Sequence, residues 1–245
     1  MQLTPHETSA RGLLIDTHAH LADAKFDGAH DEIIGRARAC GVGGIISVGD
    51  SVEASAACRD LAARWPDVVR FSAGVHPHNA RDWVDDKAGQ SSQNPARPTD
   101  PADATDHGGD APPRLARRGT LEAIRTLAAD RRCVAIGEIG LDYHYNFSPR
   151  ERQREVFAAQ LSLANDLRLP VILHCREAYD DFLAILRECP IGAAGGVVHC
   201  FAAGPREARQ ILDLGLRLGV GGVVTFKSAG EVRAGIGRAS CRERV

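Results

Sequence analysis

Ala135-Ile136-Gly137-Glu138-Ile139-Gly140-Leu141-Asp142-Tyr143 is an apolar run that stops abruptly on a carboxylate. Apolar residues in so short a stretch describe a strand buried on both faces, as in a parallel sheet. An ionised glutamate in that setting needs a strong partner, because burying an unpaired charge is costly. An ion-paired glutamate is the bland reading. A divalent metal is the sharper one, since a carboxylate can bridge two such ions and lower their mutual repulsion.

The same design recurs along the chain. Leu169-Pro170-Val171-Ile172-Leu173-His174 and Gly195-Gly196-Val197-Val198-His199 each close a buried β run with an imidazole. In Asp16-Thr17-His18-Ala19-His20 the histidines are two apart at a strand end, so both rings fall on one side and can take one cation. One such histidine is ordinarily a core residue satisfied by hydrogen bonds; the repetition at strand ends is what favours ligation. His18, His20, Glu138, His174 and His199 are therefore the candidate metal ligands.

Around them the sequence alternates. Leu13 to Asp16, Gly44 to Gly49, Val69 to Gly74, Cys133 to Gly137, Pro170 to His174, Gly196 to His199 and Arg217 to Val220 read as buried strands. Between them, His30 to Cys40, Val52 to Arg64, Thr120 to Asp130, Pro149 to Leu167, Ala178 to Glu188 and Pro205 to Leu214 suit helices. Repeated βα units either close into a barrel or open into a doubly wound sheet. The ligand positions favour the barrel: they come from the first, fourth, fifth and sixth strands, whose ends a closed barrel brings around one mouth, whereas an open sheet would string several of them apart. The expected fold is α/β, a TIM-type (β/α)8 barrel that stops before its eighth strand.

Other residues fall at the same mouth. His76 and His78, in Gly74-Val75-His76-Pro77-His78, end the third strand, where His76 can meet a substrate phosphate or a further ion and His78 can equally be exposed. Arg176, two residues past His174, can reach a phosphate or a carboxylate, or pair with a neighbouring acid. Asp142 can orient a ligand from behind or cap its loop. Phe226-Lys227 after the last strand offers a positive charge for an anion. Four histidines and one carboxylate suit zinc or manganese better than calcium, and substrate oxygens can complete a magnesium site, so one or two divalent ions (Zn, Mn or Mg) are expected.

Composition bounds the rest. The chain has 245 residues, 44% of them hydrophobic and 25% charged, with a net charge of -2, which suits one domain and gives no general basic field for nucleic acid. Seven cysteines without a CxxC motif indicate reduced thiols, and Cys175 and Cys200, each next to a ligand histidine, are expected to face the helices as packing residues. Aromatic residues make up only 5%, so no stacking platform of the kind that single-strand binders show is expected. The opening MQLTPHETSARG has neither a basic start nor an apolar core, so a cytoplasmic, membrane-free protein is expected.

Two stretches break the rhythm. Asp86 to Gly119 is crowded with Pro, Gly, Asp and Ser and reads as a disordered insertion whose His107 is solvated. The end, from a helix beginning near Ala229 into GIGRASCRERV, offers no eighth strand, and residues 236–245 read as a tail foreign to the fold.

The elements DTHAHL, GVHPH, AIGEIGLDYHY, PVILHCREAYDD, VVHCF and GVGGVVTFK, in this order from Leu13 to Lys227, resemble the TatD family of metal-dependent deoxyribonucleases in the amidohydrolase superfamily. The resemblance implies a TIM-type barrel that hydrolyses phosphodiester bonds in DNA, exonuclease-like and on single strands, with water activated on metal. It assigns His18 and His20 to one ion, Glu138 as the shared and catalytic ligand, and His174 and His199 to the other. It also implies an acidic residue at the end of an eighth strand, in a Glu-Thr-Asp-like element, for which this sequence has no counterpart. Two other readings stay open: another hydrolase on the same scaffold, such as an amidase, lactonase or aminoacyl-tRNA deacylase, and an inactive truncated fragment. Cyclic-amidase relatives often use a carboxylated lysine as the bridge, and the fourth strand offers Glu138 and no lysine.

Overall fold

The computed structural model describes residues 13–85 and 119–242, with side chains in the last helix described through Gly237. The chain alternates β1 (Leu14–Ala19), α1 (His30–Ala39), β2 (Val42–Val48), α2 (Val52–Arg64), β3 (Val69–Ala73), α3 (Thr120–Ala128), β4 (Cys133–Asp142), α4 (Arg150–Leu167), β5 (Val171–Arg176), α5 (Tyr179–Glu188), β6 (Gly196–Val198), α6 (Pro205–Asp213), β7 (Arg217–Leu218) and α7 (Gly230–Arg242). All pairings are parallel, and the strand order in the seven-stranded sheet is the chain order. The sheet is strongly curled. Laid flat, β1 and β6 would stand five spacings, about 24 Å, apart. Yet the rings of His18 on β1 and His199 just past β6 stack with centroids 3.3 Å apart. The architecture is a TIM-type barrel lacking one strand.

Side-chain alternation divides the residues between two layers. Val48, Ala135 and Ile172, with Ile46 and Val197 against them, form a small cluster drawn from β2, β4, β5 and β6, which we read as the barrel interior. The larger cluster, including Phe71, Ile136, Ile139, Leu141 and Leu173, packs sheet against helices, and Phe157 of α4 stacks on Phe182 of α5 with ring centroids 5.4 Å apart. Burial of these side chains is the principal favourable term, each contributing about 1.5–3 kcal/mol.

The register of β4 sets the direction of Glu138. Ile136 and Ile139 both belong to the outer cluster although they are an odd three positions apart, and the pairing with β5 slips between them. One extra residue at this bulge reverses the alternation. Glu138 is thereby freed from the outward side that it would share with Ile136 in a regular strand, and the inward positions continue through Gly140 to Asp142. Gly140 is required here: its φ is +146°, and an added Cβ would collide with the His174 carbonyl oxygen. Gly140→Ala is expected to lower the stability by about 2–3 kcal/mol through strain and overpacking, read as a fall in the urea midpoint.

Several expectations need correction. β4 runs to Asp142, five residues beyond its expected end at Gly137, because the bulge carries the pairing onward. β1 was expected to be buried, but Leu13, Leu14 and Ile15 are exposed; β1 is an edge of the sheet, with β2 as its only partner among the described residues. Three short 3-10 helices, Ala24–Phe26, Pro77–Asp82 and Gly222–Thr225, lie where loops were expected. α7 continues as backbone helix through Arg242, and Ile236 packs against the core. The expected insertion, with His107, lies outside the described residues except for Gly119, which caps α3.

Candidate metal centre

Glu138 is 3% exposed and stands at the centre of an imidazole cluster. Its Oε1 lies 3.1 Å from His174 Nδ1, and its Oε2 lies 3.4 Å from His18 Nε2 and 4.0 Å from His20 Nε2. Two sets of three ligand-type groups share this carboxylate: His18, Glu138 and His199, and His76, Glu138 and His174, each with its ligand atoms within 4.8 Å of one another. All of the candidate ligands therefore converge. His20 stands beside the first set, its Nε2 3.2 Å from His18 Nε2. The resemblance paired His174 with His199; in the structure His199 lies against His18, and His174 sits with His76.

Each side chain has a structural reason to point inward. His174 lies two residues beyond the interior residue Ile172 on β5, and His199, one residue past β6, is held by its N–H donating to the Leu173 carbonyl at 2.7 Å. His76 caps the 3-10 helix Pro77–Asp82 and accepts a hydrogen bond on Nδ1 from the His78 N–H. The backbone of neighbouring Val75 is clamped from both sides by Gln160 of α4, which accepts from its N–H and donates to its carbonyl. Gln153, two helical turns earlier, does the same for Asp142.

Asp142 contacts both its own loop and two candidate rings. It is fully buried; Oδ1 accepts from the N–H groups of His144 and Tyr145, and Oδ2 lies 2.9 Å from His78 Nε2 and 3.1 Å from His174 Nε2. One carboxylate thus turns the chain after β4 and holds two rings. His78, which could have been merely exposed, is anchored by this contact. Arg176 lies with its guanidinium 4.7 Å over the Tyr145 ring and borders the same cavity of about 640 Å³ as His76, Glu138 and His174.

Proton affinities follow from this geometry. Burial pushes the His76 imidazole down to about 3 and that of His199 down to about 4, leaving both neutral and able to donate a lone pair. Burial also acts on His174, but its contacts with Asp142 and Glu138 outweigh it and carry the pKa to about 9. Burial would raise Glu138, yet hydrogen bonds to His174 and His18 hold it well below the usual carboxylate range. Asp142 is likewise held low by His174, the Tyr145 N–H and His78, against its burial.

This donor set fits a metal. A buried, ionised carboxylate has only imidazoles as charge partners among the described residues, and His18 Nδ1 is buried without any hydrogen-bond partner. A divalent cation held by imidazole and carboxylate would neutralise the former and is the kind of ligand that such rings serve. The cysteines need a qualified reading. Cys175 is buried in the outer core, as expected, but both Cys175 and Cys200 border the cavity. Strand alternation does not reach Cys200, because β6 ends at Val198 and Cys200 adopts a φ of +45°.

A profile of the family described as "TatD related DNase" matches residues 15–244. The "3'-5' ssDNA/RNA exonuclease TatD" of Klebsiella pneumoniae (strain 342) is 36% identical over 217 residues, spanning 89% of this chain and 70% of that protein. An "uncharacterized metal-dependent hydrolase YabD" of Bacillus subtilis (strain 168) is 33% identical, over 89% of this chain and 72% of its own length. Among solved structures, the TatD homologue YjjV of Escherichia coli K12 superposes with a TM-score of 0.70 at 29% identity, covering 91% of this chain and 73% of that one.

Proposed function

The chain belongs to the TatD-related DNase family, and from that membership we propose that it is a 3'-to-5' exonuclease of single-stranded DNA or RNA, working with one or two divalent ions in the paired triads. The observation that carries this reading is the sharing of Glu138 between His18 with His199 and His76 with His174. His20 completes the first group. Zinc, manganese and magnesium are the candidate ions, the first two favoured by the imidazoles.

When bound, such ions supply Lewis acidity, neutralising charge on the phosphoryl oxygens and making the attacking water more acidic. The chain's own contribution is placement. Glu138 keeps both imidazole groups within reach of one phosphate. Asp142 prevents His174 and His78 from turning away. Arg176, at the cavity wall, offers a planar charge-assisted donor to a phosphate oxygen. The glutamate shared by both triads and the relatives' named activities support phosphodiester hydrolysis over an amidase or lactonase reaction.

The direct test uses short single strands of DNA and RNA labelled at either end, with a duplex beside them and manganese, magnesium or zinc supplied. Progressive shortening of the 5'-labelled strand and immediate release of the 3' label as mononucleotide are expected, with the duplex persisting. Internal fragments, or intact strands with all three metals, would overturn the assignment.

A further inference from the structure

Tyr145 and Phe147 rise from the loop between β4 and α4 with nearly parallel rings, 19° apart and with centroids separated by 5.3 Å. They are 48% and 51% exposed, an unusual expenditure of large aromatic surface in a chain with 5% aromatic residues. The pair is held in place: the His78 ring stands edge-on to both, 5.5 Å from Tyr145 and 4.8 Å from Phe147, and is itself anchored on Asp142. The Arg176 guanidinium lies over Tyr145. Tyr145, Arg176 and Phe226, which is 60% exposed, border the cavity that contains Glu138. Phe147 stands beside this cavity through its contact with Tyr145 and does not line it.

We propose that this aromatic pair is a nucleobase shelf: an unpaired base stacks on the exposed surface of Tyr145 and Phe147 while the phosphate attached to its nucleotide lies at Glu138, with Arg176 on the same cavity wall. The proposal rests on the nuclease reading above. Its support is chemical. A flat aromatic step beside a guanidinium suits a π-face of any base, whereas reading base edges would require directed donors and acceptors. The cavity volume of about 640 Å³ lies in the range that holds a small-molecule ligand, about 300–1,000 Å³. A base reaches the shelf only once it is free of its partner strand, so the shelf also gives a physical reason for a preference for single strands.

The test compares two 5'-fluorescein tetranucleotides that differ only in the 3'-terminal residue, one natural and one abasic. Affinities are measured by fluorescence anisotropy in EDTA, and turnover is measured separately with manganese. The wild-type chain is expected to bind the natural strand on the order of 10-fold more tightly, in line with the loss of one stacked base. In Tyr145→Ala that ratio collapses towards one, in Phe147→Ala it falls part of the way, and in Tyr145→Trp it is kept. Equal affinity of the wild type for the two strands, no binding of either, or an unchanged ratio in Tyr145→Ala would overturn the shelf. Base-dependent binding without turnover in manganese would uphold the shelf and overturn the nuclease reading instead.

Discussion

Glu138→Gln is expected to reduce metal-dependent hydrolysis of single-stranded DNA by about 10³-fold, the scale of several kcal/mol of lost charge stabilisation at 1.36 kcal/mol per decade. The substitution preserves the shape of a side chain that is almost wholly enclosed and removes only its charge. The fold should therefore survive, as judged by circular dichroism and the urea midpoint. Because both triads share this one carboxylate, the loss should affect them together rather than one. A variant that folds normally and cleaves at the wild-type rate would show that Glu138 is only an ion-paired core residue.

Asp142→Asn is expected to weaken metal binding and kcat/KM together by about 10–100-fold, the usual cost of losing a group that orients a ligand. The native Oδ2 faces ring nitrogens of His78 and His174 at once, whereas an amide placed there cannot satisfy both rings in the same way. Asp142→Ala goes further. It leaves the part-buried N–H groups of His144 and Tyr145 without their acceptor, at a cost of about 1 kcal/mol each, the scale of a lost hydrogen bond. The pair of variants separates orientation from folding: Asn should lose affinity with little loss of stability, and Ala should lose both. Wild-type metal affinity in the Asn variant would remove Asp142 from the centre and leave it as a loop cap.

Much of this was legible in the residues. Buried parallel strands are short apolar runs, so β2, β3, β5 and β6 could be found within a few residues, and amphipathic helices such as α2 and α5 are bounded by Ser51 and by the turn after Glu188. His174 and His199 were visible because an imidazole at the end of such a run is conspicuous. The less legible features depend on three dimensions. That His76 meets His174 follows from the curl that brings β3 and β5 around β4, which no local spacing encodes. The inward turn of Glu138 depends on a bulge, for which Gly137 and Gly140 are the only signal in the sequence. Overall aromatic content argued against stacking, but an average cannot register that Tyr145 and Phe147 sit two residues apart at the mouth. Gln153 and Gln160 went unnoticed; polar residues on the inner face of α4 were the clue, seven positions apart and therefore on one side of the helix.

Among the described residues no helix is long and apolar enough to cross a membrane. The proposed metal chemistry centres on the cluster around Glu138. The most direct test titrates manganese into the metal-stripped chain and follows bound metal and oligonucleotide cleavage in the same samples, for the wild type and for Glu138→Gln. Cleavage should be absent without metal and rise with occupancy to at most one ion per triad, two in all, while the variant should bind weakly and cleave little. Cleavage that is indifferent to metal, or a variant that fills and cleaves like the wild type, would contradict a metal centre built on Glu138.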